Sequence, residues 1–145
     1  MSKAIQLFAS LALLCCLSGL AMTQEKPPKV NKYYAPTYPN WGVYVGLKGE
    51  IQVKVKIDRK GDVISSEAGD GPAPLRRMAG EAASKWGFST SKTEDVRSAI
   101  LVFVFSIKKN NKGKYNYKKP TFQTKFKKPY RLELIITEYL RVNAY

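Results

Sequence analysis

One short stretch of the chain restricts the fold more than any other. Over residues 51–57, Ile or Val alternates with Gln or Lys, which is the period of a β-strand with one buried face and one exposed face. A turn follows, in which Gly61 supplies the backbone freedom that a tight turn needs. Val63 then begins an apolar return strand. This stretch is therefore predicted to form a β-hairpin.

A helix is predicted directly after the hairpin. Two Gly and one Pro in residues 69–72 break the second strand. The helix is expected over about residues 74–85, with a Pro near its first turn, where a missing N–H group is tolerated. Such a helix can cover the apolar face of the hairpin, because its apolar residues recur at helical spacing. These residues are Leu75, Met78, Ala79, Ala82, Ala83 and Trp86.

The remaining strand signals complete a small α+β domain. Residues 99–107 are nearly all apolar, with several β-branched and aromatic side chains, and predict a strand. A further strand is predicted over residues 130–142, and the sequence leaves open whether it pairs with residues 99–107, pairs elsewhere or stays free. We therefore expect an antiparallel sheet of three or four strands with one main helix packed on one face. The predicted core comprises Ile51, Val53, Val55, Ile57, Val63, Leu75, Met78, Ala79, Ala82, Trp86, Phe88 and alternate residues of 99–107.

The N-terminal segment has the features of a secretory signal. Lys3 is its only charged residue, residues 5–20 are mostly apolar, and Gln24 follows residues of the kind that a signal peptidase reads. Residues 1–23 are therefore predicted to be a cleaved signal peptide, and residues 24–34 a short linker. The alternative is a signal retained as an anchor, and contact with a membrane is expected only in that case. The predicted location is the periplasm or the exterior of a bacterial cell.

The composition excludes chemistry that needs cysteine or histidine, and it leaves lysine- or carboxylate-based catalysis open. Cys15 and Cys16 both lie in the predicted signal, and the chain has no histidine. Zinc sites built on thiolate or imidazole, and nucleophiles that need a histidine base, are thereby excluded. The acidic residues near turns, Asp58, Asp62 and Asp70, do not have EF-hand spacing, so we expect them to cap their own backbone. No catalytic residue, metal or cofactor is predicted.

Several positions taken together resemble the TonB C-terminal domain family. The resemblance covers about residues 35–107, which we take as the domain, and its specific part is the combined spacing of a Tyr-Pro pair, two glycines, the hairpin and a Trp-x-Phe motif. It is carried by Tyr38, Pro39, Gly46, Gly49, Ile51, Val53, Val55, Ile57, Asp58, Gly61, Val63, Leu75, Ala79, Ala82, Trp86 and Phe88, with the closing strand up to Ile107.

The resemblance implies a binding module rather than an enzyme. Domains of this family link an energy source in the inner membrane to outer-membrane transporters, and they do so by pairing a sheet edge with a short transporter peptide. A free periplasmic domain that binds by strand addition is expected here, because the chain has no long proline-rich spacer. The edge that the family uses corresponds to Ala99, Ile100, Leu101, Val102, Phe103, Val104 and Phe105.

The positive charge of the chain is concentrated in its C-terminal extension, residues 108–145. The whole chain has a formal net charge of +14, and the extension contains 11 of the 25 basic residues. The alternative function is therefore a secreted cell-envelope protein that binds an anionic polymer or lipid headgroups through this extension. Nucleic acid is disfavoured as a partner, because an exported protein rarely meets it. The predicted basic patch comprises Lys118, Lys119, Lys125, Lys127 and Lys128.

Overall fold

The computed structural model describes residues 26–110 and 120–139, and the predicted signal peptide lies outside them. These residues form an α+β structure, as predicted, in which strands predominate. No helix among them is long and apolar enough to cross a membrane. The elements are β1 (Val30–Lys32), α1 (Asn40–Tyr44), β2 (Gly49–Asp58), β3 (Val63–Ala68), α2 (Ala73–Ala83), β4 (Gly87–Phe88), β5 (Val96–Asn110), β6 (Thr121–Lys127) and β7 (Arg131–Tyr139).

Five strands form one mixed sheet in the order β3-β2-β5-β7-β6. Neighbouring strands are antiparallel except for β5 and β7, which are parallel. The prediction of three or four antiparallel strands is therefore wrong in both number and direction. The difference arises because β6 and β7, from the predicted extension, both join the sheet. β1 and β4 form a separate two-stranded sheet.

Strand β6 was not predicted, although its sequence has the period of a strand. Its pairing with β7 sets Phe122 opposite Ile136 and Phe126 opposite Leu132, on the packed face of the sheet. The intervening Lys125 points to the other face. The many lysines around these aromatic residues conceal the alternation, since charged residues have low intrinsic strand preference.

Within residues 26–110 and 120–139, one face of the five-stranded sheet is covered and the other is open. Helix α2 lies across β2 and β3 on this face, as predicted. The part formed by β6 and β7 is covered by aromatic residues of the N-terminal segment. The ring of Tyr33 stacks on that of Phe126 with a centroid distance of 4.8 Å, and the rings of Tyr38 and Phe122 lie 6.0 Å apart.

Residues 29–34 of the predicted linker belong to the folded domain. The Ser89 N–H donates a hydrogen bond to the carbonyl oxygen of Lys29, and the Lys29 N–H donates one to the Ser89 hydroxyl. β1 pairs with β4 immediately beyond. The extension is likewise not a separate tail, because β7 contributes buried residues to the core. These are Leu132, Leu134 and Ile136.

The predicted core is confirmed with few changes. All of the residues predicted for it are buried except Val63 and Ile107, which are partly buried and pack against the rest. The β5 members are Ala99, Leu101, Phe103 and Phe105. Besides the residues from β7, the structure adds Tyr38, Val43 and Ala83.

Trp86 joins the two layers that cover the sheet. It follows α2 and is only 2% exposed. Its ring centroid lies 5.7 Å from that of Phe103 in β5, 5.8 Å from that of Phe126 in β6 and 6.1 Å from that of Tyr33. Its Nε1 donates a hydrogen bond of 3.0 Å to the carbonyl oxygen of Tyr34. The helical layer and the N-terminal layer therefore meet on this one side chain.

Replacing Trp86 with Ala is expected to lower the free energy of unfolding by about 3–5 kcal/mol, because it leaves a cavity inside the aromatic cluster. Chemical denaturation followed by circular dichroism measures the loss. Trp41→Ala is the matched control, since Trp41 is 50% exposed, and it should change stability by only about 0.5 kcal/mol. Equal losses in the two variants would contradict the packing described.

The β2–β3 turn depends on Gly61. Its φ is +99°, and a Cβ at this position would come within 2.1 Å of the carbonyl oxygen of Phe88. We expect Gly61→Ala to destabilise the protein by more than about 2 kcal/mol, because the left-handed backbone costs a side chain about 1–2 kcal/mol and the clash adds to that cost. The control is Gly80→Ala in α2, where the space is open and the stability should rise by about 0.5–1 kcal/mol. Thermal melting compares the two variants, and an unchanged melting temperature for Gly61→Ala would refute the argument.

Candidate functional site at a half-open strand edge

The predicted binding strand lies inside the sheet. β5 pairs with β2 over residues 96–105 and with β7 over residues 102–110. The expectation of a free edge is therefore wrong for the later part of the predicted site, whose outer side is covered by β7. The physical reason is that β7 buries its own apolar residues on the packed face by pairing there. The covered residues are Val102, Phe103, Val104 and Phe105.

The first half of β5 has an open side. β7 begins at Arg131, opposite Val102, and the Val102 N–H group donates a hydrogen bond of 2.9 Å to the carbonyl oxygen of Tyr130. Residues 96–101 have no strand beside them on this side within the described ranges. The predicted site residues in this open half are Ala99, Ile100 and Leu101.

The main-chain groups that face the opening belong to Ser98 and Ile100. In an antiparallel ladder, successive residues direct their N–H and C=O groups to opposite sides of the strand. Val102 directs its N–H group away from β2, so Ile100 and Ser98, two and four residues earlier, do the same. No main-chain hydrogen bond across the opening is found for either residue in the part of the chain that the structure describes. Both residues can therefore accept a further strand.

The opening leads into a groove of about 480 Å³, here called the β5 groove. Besides β5, it is lined by residues 26–28, Lys54, Glu94 and Tyr130. The Tyr130 hydroxyl donates a hydrogen bond of 2.8 Å to the carbonyl oxygen of Pro28 and so holds the N-terminal segment beside the groove. Burial raises the pKa of the Tyr130 phenol, and the nearby Arg97 guanidinium partly offsets this rise. The hydroxyl therefore remains protonated, and able to donate, at neutral pH.

Arg97 connects the groove to the packed interior. Its Nη2 donates hydrogen bonds to the main-chain carbonyl oxygens of Ser89 and Asp58. Its Nε is buried and has no acceptor among the described residues. The guanidinium is thus held by main-chain carbonyl groups.

The open half of β5 is a better site for strand addition than the outer edges of the sheet. At one edge, β6 carries Lys125 and Lys127, and lysines on an edge strand oppose pairing with another chain. At the other edge, β3 is only six residues long and its pairing with β2 is interrupted by a bulge, which also discourages pairing. The open half of β5 instead exposes Ser98 and Ile100, the latter with 53% of its surface accessible.

The predicted basic patch is partly neutralised where it can be described. Lys118 and Lys119 lie outside the described residues. The Nζ of Lys127 lies 2.7 Å from Oε1 of Glu133, and this hydrogen bond lowers the pKa of Glu133. No ion pair is found for Lys125 or Lys128 within residues 26–110 and 120–139.

The residues that complete the groove could not be recognised from the sequence. Lys26, Lys54, Arg97 and Tyr130 come from four separate segments of the chain. No periodicity relates them, and each lies in a segment that was interpreted for another reason. The one feature of the sequence that points to the groove is Arg97, a charged residue just before the apolar residues 99–107.

No protein-family model matches this chain, and no curated protein matches it either. The similarity to the TonB C-terminal domain family therefore rests on the residues and spacing given above.

The half-open edge leads to a specific prediction for amide hydrogen exchange. The Ser98 and Ile100 amides should exchange at least about tenfold faster than those of Ala99, Leu101 and Val102, because only the latter three donate hydrogen bonds to neighbouring chain segments. Exchange rates measured by NMR at single amides test this alternation. Uniform protection from residue 98 to residue 102 would show that the edge is covered.

Proposed function

We propose that this protein is a non-enzymatic interaction module that binds an extended peptide of a partner protein by adding it as a strand to the open half of β5. The supporting observation is the outward-facing main chain of Ser98 and Ile100 beside the β5 groove. In this mode of binding, main-chain hydrogen bonds supply affinity and contacts with alternate side chains supply specificity. The open residues 96–101 correspond to about 20 Å of extended chain, so a segment of five to seven residues, on the order of this length, would fill them.

The arrangement of the first elements supports a TonB-like assignment within this proposal. β2, β3, α2 and β5 follow one another in the order that the resemblance implies, and the three strands are adjacent in the sheet with α2 across them. The proposed setting is the periplasm, and the proposed partner is a peptide segment of an outer-membrane transporter. β6 and β7 are additions to this pattern, and they restrict the binding edge to the first half of β5.

The test uses seven-residue peptides selected from a displayed random library on the full chain. Ile100→Pro is expected to weaken the binding of a selected peptide at least about tenfold, because it removes the N–H group that faces the opening and leaves the hydrogen bonds to β2 in place. Isothermal titration calorimetry measures the affinity, and circular dichroism checks that the variant is folded. In the complex, the Ser98 and Ile100 amides should become protected from exchange.

The matched control is Thr124→Pro, which makes the same change in the middle of β6 at the edge of the sheet. This variant should bind the peptide as the parent chain does. If Thr124→Pro abolishes binding and Ile100→Pro does not, the peptide pairs with β6 and the proposed site is wrong. Absence of any binding peptide would also count against strand addition.

A further inference from the structure

The β5 groove is lined by positively charged side chains. The proposed strand addition uses main-chain hydrogen bonds and does not require them. Lys26, Lys54 and Arg97 line it, and Glu94 is the one acidic residue among its described lining residues. No carboxylate lies within 4.0 Å of these three basic groups in the part of the chain that is described. Among the described residues, the groove therefore brings together three cations that have no ion pair, beside one acidic residue.

Several basic side chains elsewhere on the domain do have acidic partners. Arg59 pairs with Asp95, and Arg131 pairs with Glu50 at 3.2 Å. Other described cations, such as Lys125 and Lys128, also have no ion pair. The groove differs from them in that three cations line one cavity beside the open half of β5.

Arg97 is the most firmly positioned of the three cations. Its contacts with the carbonyl oxygens of Ser89 and Asp58 fix the guanidinium beside Tyr130, whose ring lies 6.2 Å from that of Phe88. Because main-chain carbonyl groups orient it, Arg97 contributes a fixed positive charge to the groove, whereas its Nε is buried.

Lys54 is exposed on the open face, where an added strand would present every second side chain. It stands opposite Ile100 on one side and opposite Glu67 on the other, and it forms no ion pair with Glu67. A strand added to β5 would lie two strand spacings from β2, about 10 Å, and an extended lysine and an acidic side chain together bridge that distance. Lys26, on the N-terminal segment, is a third donor to the same groove.

We propose that the β5 groove selects extended peptides with acidic side chains at alternate positions. This inference rests on the proposed strand addition, which sets the alternation. Acidic residues separated by one position would all project to the open face, within reach of Lys54 and Lys26, while the side chains between them face Tyr130 and the packed side. The partner segment is therefore an acidic, β-forming peptide.

The probes are two seven-residue peptides with both ends blocked. One alternates Val with Glu, and the other has Gln in place of every Glu, so the two share length and main-chain hydrogen bonding and differ only in charge. The Glu peptide should bind the full chain about tenfold more tightly than the Gln peptide, as expected for two or three partly screened ion pairs. This preference should shrink between about 50 mM and about 500 mM NaCl, because salt screens exposed charges.

A third peptide, with Gln in place of every Glu and a free C-terminus, tests whether a terminal carboxylate can replace the acidic side chains. If this peptide binds tightly and the blocked Glu peptide does not, the proposal is overturned.

Charge removal on the protein tests the residues involved. Lys54→Gln and Lys26→Gln should each reduce the ratio of the Glu-peptide affinity to the Gln-peptide affinity about threefold or more. The matched control is Lys125→Gln, which removes an exposed lysine from the same face of the sheet, three strands away. An equal effect of all three changes would indicate attraction by net charge alone and would overturn the assignment to the groove.

The outcomes separate this inference from the proposed function. If both peptides bind equally and Ile100→Pro abolishes both, strand addition stands and acidic selection is wrong. If the Glu peptide binds in a way that Lys54→Gln weakens but Ile100→Pro does not, strand addition fails, and this inference fails with it. A short oligogalacturonate is the test for an acidic polysaccharide, and binding of this oligomer with the same dependence on Lys54, without binding of the Glu peptide, would also overturn the proposal.

Discussion

The burial of the Trp86 indole is the interaction on which the rest of the structure depends. Helix α2 has only eleven residues, about 16 Å of helix, and covers β2 and β3. The remaining apolar face of the five-stranded sheet needs a second cover, which the aromatic residues of the N-terminal segment provide. Trp86 touches both layers and the sheet beneath them, so the short helix and the extended segment act as one covering layer.

The candidate site follows from a mismatch in strand length. β5 has fifteen residues, whereas β7 pairs with only nine of them. β7 joins β5 in parallel and buries its apolar side chains at the later half of the strand, where Phe103 and Phe105 already lie inside. The earlier half keeps its outward main-chain groups, and the N-terminal segment held by Tyr130 encloses the space beside them. The groove is thus a consequence of how the core is completed.

The distribution of charge along the chain differs from its distribution in space. Counted by segment, the positive charge belongs to the C-terminal extension, and the preceding domain is nearly neutral. In the folded protein, Lys127 and Arg131 of the extension are paired with acidic residues. The cations that line the β5 groove, for which the described residues offer no ion pair, come from the N-terminal segment, β2 and β5. The positive electrostatic potential that a ligand meets therefore depends on which cations have acidic neighbours in the fold, and not only on the number of lysines in a segment.

The sequence by itself determined the elements whose period is local. The alternation at residues 51–57 specified β2 and its buried face, the helical spacing around Met78 specified α2, and the position of Trp86 in the core followed from both. It also predicted a strand over residues 130–142, because Leu132 and its neighbours alternate in the same way, and the structure has β7 over Arg131–Tyr139.

Only the tertiary structure decided which strands are neighbours, and hence where the open edge lies. Strands pair through main-chain N–H and C=O groups that nearly all residues share, so a sequence can specify that a strand exists without specifying the partner that it joins. That choice is made by the packing of all buried side chains at once. For this reason the sequence predicted the strand as a candidate site, but only the fold shows which half of it lacks a neighbouring strand within the described residues.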